Sequence, residues 1–281
     1  MNEEMRTVTP AFSVLMSLYI KEKPEYFDQC MQSMVSQTVR PDEIVLVLDG
    51  PITEELHAVV EDWRHKCPCL WTVVPLEKNR GLGLALAAGI LACHNELVAR
   101  MDTDDIARAD RFEKLLNRMT EDPSLDICGS HIIEFDQDIH DVLARRKVPL
   151  THEEIAEYQK KRSAFNHVTV MFKRTAVLKA GNYEHCPLME DDMLWIRMLM
   201  AGCRCANVDD DLVYVRTGDA MIDRRGGWDY FKKYVSGRKM ILKTGYISKW
   251  AYYETVGIQL VVALLPTKLR RLLFLKLLRK E

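Results

Sequence analysis

The sequence predicts an α/β protein with a mixed, mainly parallel sheet flanked by helices, and with a helical extension at the C-terminus. First, short apolar runs alternate with segments of helical periodicity over residues 12–101, a rhythm typical of βαβ units. Second, 281 residues with 48% hydrophobic content can bury a large core. Third, acidic residues follow several of the apolar runs, at the sheet edge where such folds bind ligands.

The first half of the chain alternates strands and helices. The strands read as apolar runs, as expected where a parallel sheet is covered on both faces. Thr53 is placed to cap the second helix, and the third helix is rich in small residues, so it can lie close against the sheet. The predicted strands are 12–18, 44–48, 70–74 and 97–101, and the predicted helices are 25–37, 53–66 and 81–93.

The rhythm changes near residue 145. The second half has strands predicted at 168–172 and 212–216 together with longer helices, and we expect it to build the other wall of a cleft. A net charge of −2 argues against nucleic acid as a partner. The polar N-terminus shows no targeting segment, and eight scattered cysteines are typical of a reducing compartment, so the sequence predicts a cytoplasmic protein.

The segment Arg100-Met101-Asp102-Thr103-Asp104-Asp105 places three carboxylates directly after a predicted strand. Asp102 and Asp104, two residues apart, can turn toward one point as the chain leaves the sheet. Hard oxygen ligands of this kind suit Mn²⁺ or Mg²⁺ bridging to phosphates. The alternative interpretation is an acidic turn before a helix, a role that Asp105 or Asp110 can fill.

Asp49 ends the second predicted strand, and two interpretations fit it. In one, its carboxylate accepts hydrogen bonds from a base or a ribose, with Gly50 allowing close approach. In the other, Asp-Gly-Pro is an ordinary turn. Downstream, Arg80 lies in a loop that lacks a complete phosphate-binding motif, but Arg80 and the start of the next helix can still face a diphosphate.

A second acidic group, Glu190-Asp191-Asp192, stands at the start of an amphipathic helix. Acidic residues stabilise helix N-termini, but three in a row exceed what a cap needs. One of them can act as a general base toward an incoming hydroxyl. His167 lies at the start of the strand predicted at 168–172, where both a structural and a functional role are open.

Taken together, four blocks in this order resemble the family 2 inverting glycosyltransferases of the GT-A fold, a Rossmann-like architecture. The resemblance extends over about residues 10–240. The segments 166–172 and 181–183 are more specifically similar to bacterial capsule, exopolysaccharide and O-antigen transferases. The four blocks are 13–19, then 33–38 leading to Glu43 and Asp49, then 101–105, and finally Glu190-Asp191.

The resemblance implies a role for each matching residue. Asp191 would be the catalytic base, Asp104 would ligate the metal, and Asp102 would contact the ribose or the metal. It also implies a domain at 1–245, with a nucleotide-sugar-binding half at 10–110 and an acceptor-binding half at 111–245. Substrate contacts are expected from Ser17, Tyr19 and Asp49 in the nucleotide pocket, and further from Arg80, Glu190, His167, Arg224 and Arg225.

Two departures from the family pattern refine this expectation. Leu48 stands where many relatives have a further Asp, which leaves Asp49 as the base contact. The chain also lacks the Gln-x-x-Arg-Trp motif of processive synthases. Arg224 and Arg225 lie in a comparable region and could touch the diphosphate or the acceptor, so a single addition is expected.

The implied reaction moves one sugar, with inversion, from a nucleotide diphosphate sugar, expected to be a UDP-sugar, to a hydroxyl of a saccharide acceptor. The cofactor would be Mn²⁺ or Mg²⁺, the acceptor would be linked to polyprenyl diphosphate, and the pathway would make a surface polysaccharide. A non-catalytic assembly subunit of the same fold is an alternative. A sugar nucleotidyltransferase is disfavoured because the segment 18–22 lacks a Gly-rich nucleotide loop.

The C-terminal segment 246–281 is predicted to be helical. Residues 266–281 combine leucines with six Lys and Arg residues, which suits adsorption to an anionic membrane surface. The alternative is a helix docked on the domain or on a second subunit. With a lipid-linked acceptor, the first interpretation predicts a peripheral protein on the inner face of the cytoplasmic membrane.

Overall fold

The computed structural model describes residues 9–217, 226–266 and 269, and within them a single mixed sheet. The strands lie in the order β3-β2-β1-β4-β8-β6-β9-β5, and β7 pairs with β6. Their bounds are β1 Phe12–Leu18, β2 Glu43–Leu48, β3 Leu70–Pro75, β4 Leu97–Arg100, β5 Ile106–Ala107, β6 Leu125–Phe135, β7 Val142–Arg146, β8 Met171–Lys173 and β9 Arg204–Arg216.

Helices cover both faces of this sheet. The cap predicted for the second helix is confirmed, because the Thr53 hydroxyl accepts a hydrogen bond from the N–H of Leu56. The described helices are α1 Pro24–Val35, α2 Glu54–Lys66, α3 Leu82–Ala92, α4 Arg111–Glu121, α5 His152–Tyr158, α6 Arg174–Lys179, α7 Glu190–Met200, α8 Gly227–Lys243 and α9 Lys249–Leu264.

The parallel half of the sheet consists of β3, β2, β1 and β4, as the βαβ rhythm predicts. The antiparallel strand β8 then joins β4 to β6, and β9 runs parallel to β6. The α/β class is therefore confirmed. Because β1, β2 and β4 run in the same direction, their carboxyl ends meet at one edge, and this edge carries the acidic residues.

Side chains of β1 and β2 alternate between two apolar cores. Val14, Met16 and Ile44 face a core shared with α1, α2 and α4. Leu15 and Val45 face the opposite core, which includes α3, α6 and α7. Strands buried on both faces need apolar residues at every position, which explains the unbroken runs in the sequence.

The strand predicted at 168–172 is wrong in its first part. His167–Thr169 forms a 3₁₀ turn, and the strand begins only at Met171. Here side chains replace the backbone ladder: the Thr169 hydroxyl accepts from the N–H of Ser130 at 2.9 Å, and the Asn166 amide donates to the Ser130 carbonyl at 2.8 Å. Such local polar contacts compete with strand pairing. The strand predicted at 212–216 is the end of the 13-residue β9.

Glu43 carries a buried polar network at the start of β2, away from the acidic edge. Its carboxylate is 1% exposed and accepts hydrogen bonds from Ser13 Oγ at 2.5 Å, Thr72 Oγ1 at 2.7 Å and the His94 N–H at 2.9 Å. Burial favours the protonated form, but these hydrogen bonds prevail and lower the pKa of Glu43. The network thus joins β1, β2 and β3 through an ionised carboxylate.

Replacing Glu43 by Ala is expected to reduce the free energy of unfolding by about 2–4 kcal/mol, because several buried donors lose their acceptor. Since the pKa of Glu43 is lowered in the folded state, the stabilisation is present above the pKa of an unfolded glutamate and is lost as pH falls through the folded value. The stabilities that urea titrations give for wild type and Glu43→Gln should therefore begin to converge as the pH falls below the pKa of an unfolded glutamate, and should meet below the lowered folded pKa. The surface variant Glu61→Ala is the control and should change stability by less than about 0.5 kcal/mol. An equal loss in both alanine variants would contradict the role of the network.

Candidate active site

A cavity of about 970 Å³ lies at the carboxyl edge of the parallel strands. Five of the residues predicted from the sequence line it: Ser17, Tyr19, Asp49, Asp102 and Asp104. The rest of the lining consists of Lys21, Glu22, Lys23, Tyr26, Asn79, Gly81, Leu82, Thr103, Asp136, Gln137 and Arg216. The structure therefore brings together the ends of β1, β2 and β4, as the sheet topology requires.

The acidic loop after β4 gathers three carboxylates. One oxygen from each of Asp102, Asp104 and Asp105 lies within 4.8 Å of the others. Asp105 is buried, and its Oδ1 accepts a hydrogen bond from the N–H of Arg216 at 2.8 Å. Asp102 and Asp104 border the cavity. Hard oxygen ligands that face a cavity from one side fit Mn²⁺ or Mg²⁺, with positions left for phosphate oxygens.

The charges of this loop repel one another. Burial, together with the charges of Asp102 and Glu22, raises the pKa of Asp104 to about 7. Burial, together with the charges of Asp104 and Asp102, raises the pKa of Asp105 well above its ordinary value. Carboxylates held this close disfavour each other's ionisation. A divalent cation bound among them would relieve this repulsion, so the loop is electrostatically suited to bind one.

Arg216, which the sequence analysis did not single out, anchors the acidic loop from β9. Besides the N–H contact to Asp105, its Nε donates to the carbonyl of Asp104 at 3.1 Å. Its guanidinium lies 3.9 Å from the ring centre of Tyr26 and 4.6 Å from that of Phe135. The only signal available in the sequence was the position of Arg216 at the end of a predicted strand.

Asp49 holds the loop that leads into α3. Its Oδ1 accepts from the N–H of Arg80 at 2.6 Å, and its Oδ2 accepts from the N–H of Gly81 at 3.0 Å. Asn79 Nδ2 donates to the Asp49 carbonyl at 3.3 Å. The Arg80 side chain is exposed and is not part of the described cavity lining. Asp49 therefore borders the cavity and also shapes its wall, while Arg80 contributes its backbone.

Gly50 is required where this loop passes the end of β2. Its φ is +88°, and a Cβ atom there would lie 2.6 Å from the backbone nitrogen of Asn79. Gly81 has a similar φ of +84°, but a Cβ atom on it would meet nothing within 4 Å. The two glycines therefore differ in the steric contact that a Cβ atom would make, and share a left-handed backbone conformation that would strain any other residue.

This difference gives a matched pair of variants. Gly50→Ala is expected to weaken binding of the nucleotide that the family resemblance implies by about tenfold or more, and to lower the melting temperature further than Gly81→Ala, because only Gly50→Ala displaces the loop held by Asp49. Calorimetric titration with nucleotide and thermal melts of both variants would measure this. Equal effects would show that backbone strain alone matters at the two positions.

The second acidic group lies at the start of α7, as predicted. Asp192 is held by the buried Gln159, whose Nε2 donates to it at 2.6 Å. Burial and the adjacent charges of Asp192 and Glu190 raise the pKa of Asp191 well above its ordinary value. Among the described residues, the cavity lining includes none of these three. A carboxylate whose pKa is raised in this way is typical of a general base or acid.

Helix α3 brings the first half of the chain against this acidic group. A Cβ atom on Gly83 would lie 2.9 Å from the Cβ atom of Glu190, so the start of α3 packs directly on the start of α7. Glu190 is also close enough to Asp102 for their charges to interact. The two acidic groups predicted from distant parts of the sequence therefore belong to one electrostatic region.

The ring of His167 is hydrogen-bonded and packed against other aromatic rings inside the protein. Its Nε2 lies 2.8 Å from the hydroxyl of Tyr183, and its ring packs 5.8 Å from that of Trp195. Burial and the positive charge of Arg100 lower the pKa of His167 well below its ordinary value, so the ring is neutral at physiological pH. These contacts suit a structural role, and within the described chain His167 is absent from the cavity lining. The predicted residues Arg224 and Arg225 lie outside the described residues.

With the geometry in place, comparison with known proteins identifies the family. Residues 13–185 match the model of Glycosyl transferase family 2. The amylovoran biosynthesis glycosyltransferase AmsE of Erwinia amylovora is 42% identical over 94% of this chain and 98% of its own length. The chain belongs to glycosyltransferase family 2.

Two further proteins place this assignment in context. The UDP-Gal:alpha-D-GlcNAc-diphosphoundecaprenol beta-1,3-galactosyltransferase of Escherichia coli is 37% identical over 97% of this chain and 98% of its own length. The mannosyltransferase PcManGT of Pyrobaculum calidifontis, solved with GDP-Man and Mn²⁺, superposes with a TM-score of 0.64 at 17% identity, covering 94% of this chain and 73% of that one. The GT-A fold expected from the sequence is confirmed.

Proposed function

We propose that the protein is an inverting, metal-dependent glycosyltransferase that adds a single sugar from a UDP-sugar to a saccharide hydroxyl. The observation that carries this proposal is one cavity bordered by Ser17, Tyr19, Asp49, Asp102 and Asp104 at the carboxyl edge of the parallel strands. The acidic start of α7 lies in the same electrostatic region. In this proposal the cavity would hold the nucleotide and the cation, and the acidic start of α7 would supply a nearby base.

On the donor side, Asp102 and Asp104 would hold Mn²⁺ or Mg²⁺, and Ser17, Tyr19 and Asp49 would orient the nucleoside. The bound cation would neutralise charge on the departing diphosphate. Asp49 would act partly through its backbone partners, because its contacts to the N–H groups of Arg80 and Gly81 shape the wall beside the nucleoside. Arg216 would keep the acidic loop in place through Asp105.

On the acceptor side, Asp191 would take the proton of the attacking hydroxyl. That oxygen would attack the anomeric carbon from the face opposite the diphosphate, so an α-linked donor would give a β-linked product. Asp191 suits this role better than Asp192, because the Asp192 carboxylate is already bound by Gln159. Glu190, whose charge interacts with that of Asp102, would contact the sugar. Arg224 and Arg225 remain candidates for contact with diphosphate or acceptor.

The names of two relatives support a proposal for the acceptor. The E. coli relative is named for transfer from UDP-Gal to a diphosphoundecaprenol-linked GlcNAc with a β product linkage, and the E. amylovora relative for amylovoran biosynthesis. We therefore propose a polyprenyl-diphosphate-linked saccharide as the acceptor and a role in surface polysaccharide synthesis. The half at 10–110 would bind the donor and the half at 111–245 the acceptor.

The test is a transfer assay with a panel of UDP-sugars, a synthetic lipid-diphosphate saccharide, and Mn²⁺ or chelator. The expected result is one preferred UDP-sugar, a β-linked product carrying a single added residue, and loss of transfer with chelator. GDP-sugars serve as the control donors. Binding of no nucleotide sugar would contradict the proposed function and would favour a non-catalytic assembly subunit.

A lipid-linked acceptor requires access to a membrane, and α9 offers an exposed apolar face. Trp250, Tyr253, Val261 and Leu264 are 77%, 67%, 60% and 70% exposed and recur with helical spacing. No described helix is both long and apolar enough to cross a bilayer. We propose peripheral contact with the inner face of the cytoplasmic membrane, through this face and the basic, leucine-rich segment that follows it. That segment lies outside the described residues apart from Pro266 and Leu269.

Deleting residues 267–281 is expected to abolish salt-sensitive binding to anionic vesicles, because each cation near such a surface contributes about 1 kcal/mol. Transfer to a short soluble acceptor should be retained. Vesicle sedimentation at low and high salt measures the first effect, and the double variant Arg64→Gln, Lys66→Gln on α2 is the control for removal of surface charge. Unchanged sedimentation would rule out the segment as the anchor, and loss of folding would show that it packs on the protein.

A further inference from the structure

Arg100, the last residue of β4, is a buried cation with incomplete hydrogen bonding. Its side chain is 1% exposed, and its Nη2 donates to the Asp102 carboxylate. Its Nε and Nη1 have no hydrogen-bond partner in the part of the chain that the structure describes. Burying a guanidinium with two unpaired nitrogens costs free energy, and the single ion pair with Asp102 does not by itself explain why an arginine is placed here.

The surroundings of Arg100 supply that explanation. Its charge interacts with Asp102 and Asp105 on the side of the acidic loop. On the other side it interacts with Glu190 and Asp191, where it opposes the rise in pKa that burial and the neighbouring carboxylates cause. The charge of one cation therefore acts on both acidic groups of the site. It is held at the end of β4, where its N–H donates to the Val170 carbonyl at 2.9 Å.

The neighbouring buried arginine, Arg111, makes different hydrogen bonds from those of Arg100. Its Nη2 donates to the carbonyl of Arg100 at 2.5 Å and to that of Val168 at 2.8 Å. Burial lowers the pKa of Arg111 to about 9. Arg111 thus binds backbone oxygens and fixes the end of β4, and its Nη2 hydrogen bonds go to carbonyls whereas Arg100 binds a carboxylate.

We propose that Arg100 is a positioning residue that acts as a shared counter-cation: it occupies Asp102 until a divalent cation binds, and its positive charge favours the ionised form of Asp191, which is the form that can take up a proton. This rests on the proposed function and adds to it a residue that couples the cation site to the base. The coupling is electrostatic, because Arg100 contacts Asp102 directly, acts on Asp191 through its charge, and is not part of the described cavity lining.

The two parts of this role predict that one substitution has opposite effects on two properties, the affinity for a divalent ion and the rate of transfer. A divalent ion near Asp102 is repelled by the Arg100 charge and must also displace its ion pair, so a neutral residue at position 100 should tighten binding of the ion. At Asp191 the same change removes the one opposing positive charge noted above and should slow transfer. A residue with a purely structural role would weaken both properties when removed.

The experiment measures binding of Mn²⁺ alone by calorimetry, and kcat with donor and acceptor. Arg100→Gln is expected to bind Mn²⁺ about three- to tenfold more tightly and to show a kcat lowered by about 100-fold. Arg100→Lys keeps the charge, so its Mn²⁺ affinity should stay within about twofold of wild type, and it should recover most of the lost kcat. If Arg100→Gln does not fold, the Mn²⁺ affinity of Arg100→Lys carries the test, and a larger change there would overturn the proposal.

Arg238→Gln is the matched control, because Arg238 is also a buried arginine, but it lies on α8 and donates to the carbonyl of Lys160. It should lower stability with no change in Mn²⁺ affinity. Weaker or unchanged Mn²⁺ binding in Arg100→Gln, or unchanged kcat, would overturn the counter-cation role. Failure of wild type to bind Mn²⁺ would instead contradict the metal dependence in the proposed function, so the two failures are distinguishable.

Discussion

Asp191→Asn is expected to lower kcat for transfer by about 10²–10⁴-fold while donor affinity stays within about twofold of wild type. The substitution keeps the shape of the side chain and removes only a base that acts as the acceptor hydroxyl attacks. Because burial and its acidic neighbours raise the pKa of Asp191, the wild-type kcat should rise with pH as this carboxyl ionises. In Asp191→Asn that pH dependence should disappear.

Single-turnover assays together with donor titration would separate the two effects. Asp192→Asn is the matched control, since its side-chain oxygen can still accept the hydrogen bond from Gln159. It should retain activity within about fivefold. Wild-type turnover in Asp191→Asn would move the role of the base to Glu190.

Asp104→Ala is expected to weaken Mn²⁺-dependent binding of UDP by about 100-fold, because it removes one of the two carboxylates that border the cavity beside each other. The remaining Asp102 would offer a single ligand that is also paired with Arg100. Calorimetry of UDP with Mn²⁺ and with chelator measures the loss. In the variant, the two conditions should give nearly the same affinity.

Asp110→Asn is the control for this variant, because Asp110 lies close in sequence but pairs with Arg108 at 2.5 Å. It should leave UDP binding unchanged. Equal affinity with Mn²⁺ and with chelator in the wild type would show that binding of the nucleotide does not use the metal, and Asp104 would then have no ligand role.

The alternating pattern of the first half was sufficient to predict its architecture. Strands that are buried on both faces carry long apolar runs, and their direction follows once helices connect them. From this topology alone, Asp49 and Asp102 could be expected at one edge. The convergence of Asp102 with Asp104 needed only their spacing in the sequence, because both belong to the same loop.

Contacts that join distant segments could not be predicted from a single sequence. Arg216 binds the acidic loop across a sequence separation of 111 residues, and Gln159 donates a hydrogen bond to Asp192 across a separation of 33 residues. The 3₁₀ turn at His167–Thr169 was missed for a related reason: its formation depends on polar contacts with Ser130, which local periodicity does not reveal. Local patterns specify elements, whereas the partners of buried polar groups depend on tertiary packing.

The position of β8 has a consequence for how the chain folds during synthesis. β8 is encoded about seventy residues after β4, yet it pairs with β4 through Leu97, Val98 and Ala99. Until the ribosome has synthesised β8, the backbone N–H and C=O groups on one side of β4 have no strand partner. Unpaired edges of this kind favour association between nascent chains. The acidic loop and Arg100 lie at the end of the same strand, so this edge of the sheet can be completed only after residues 171–173 have been synthesised.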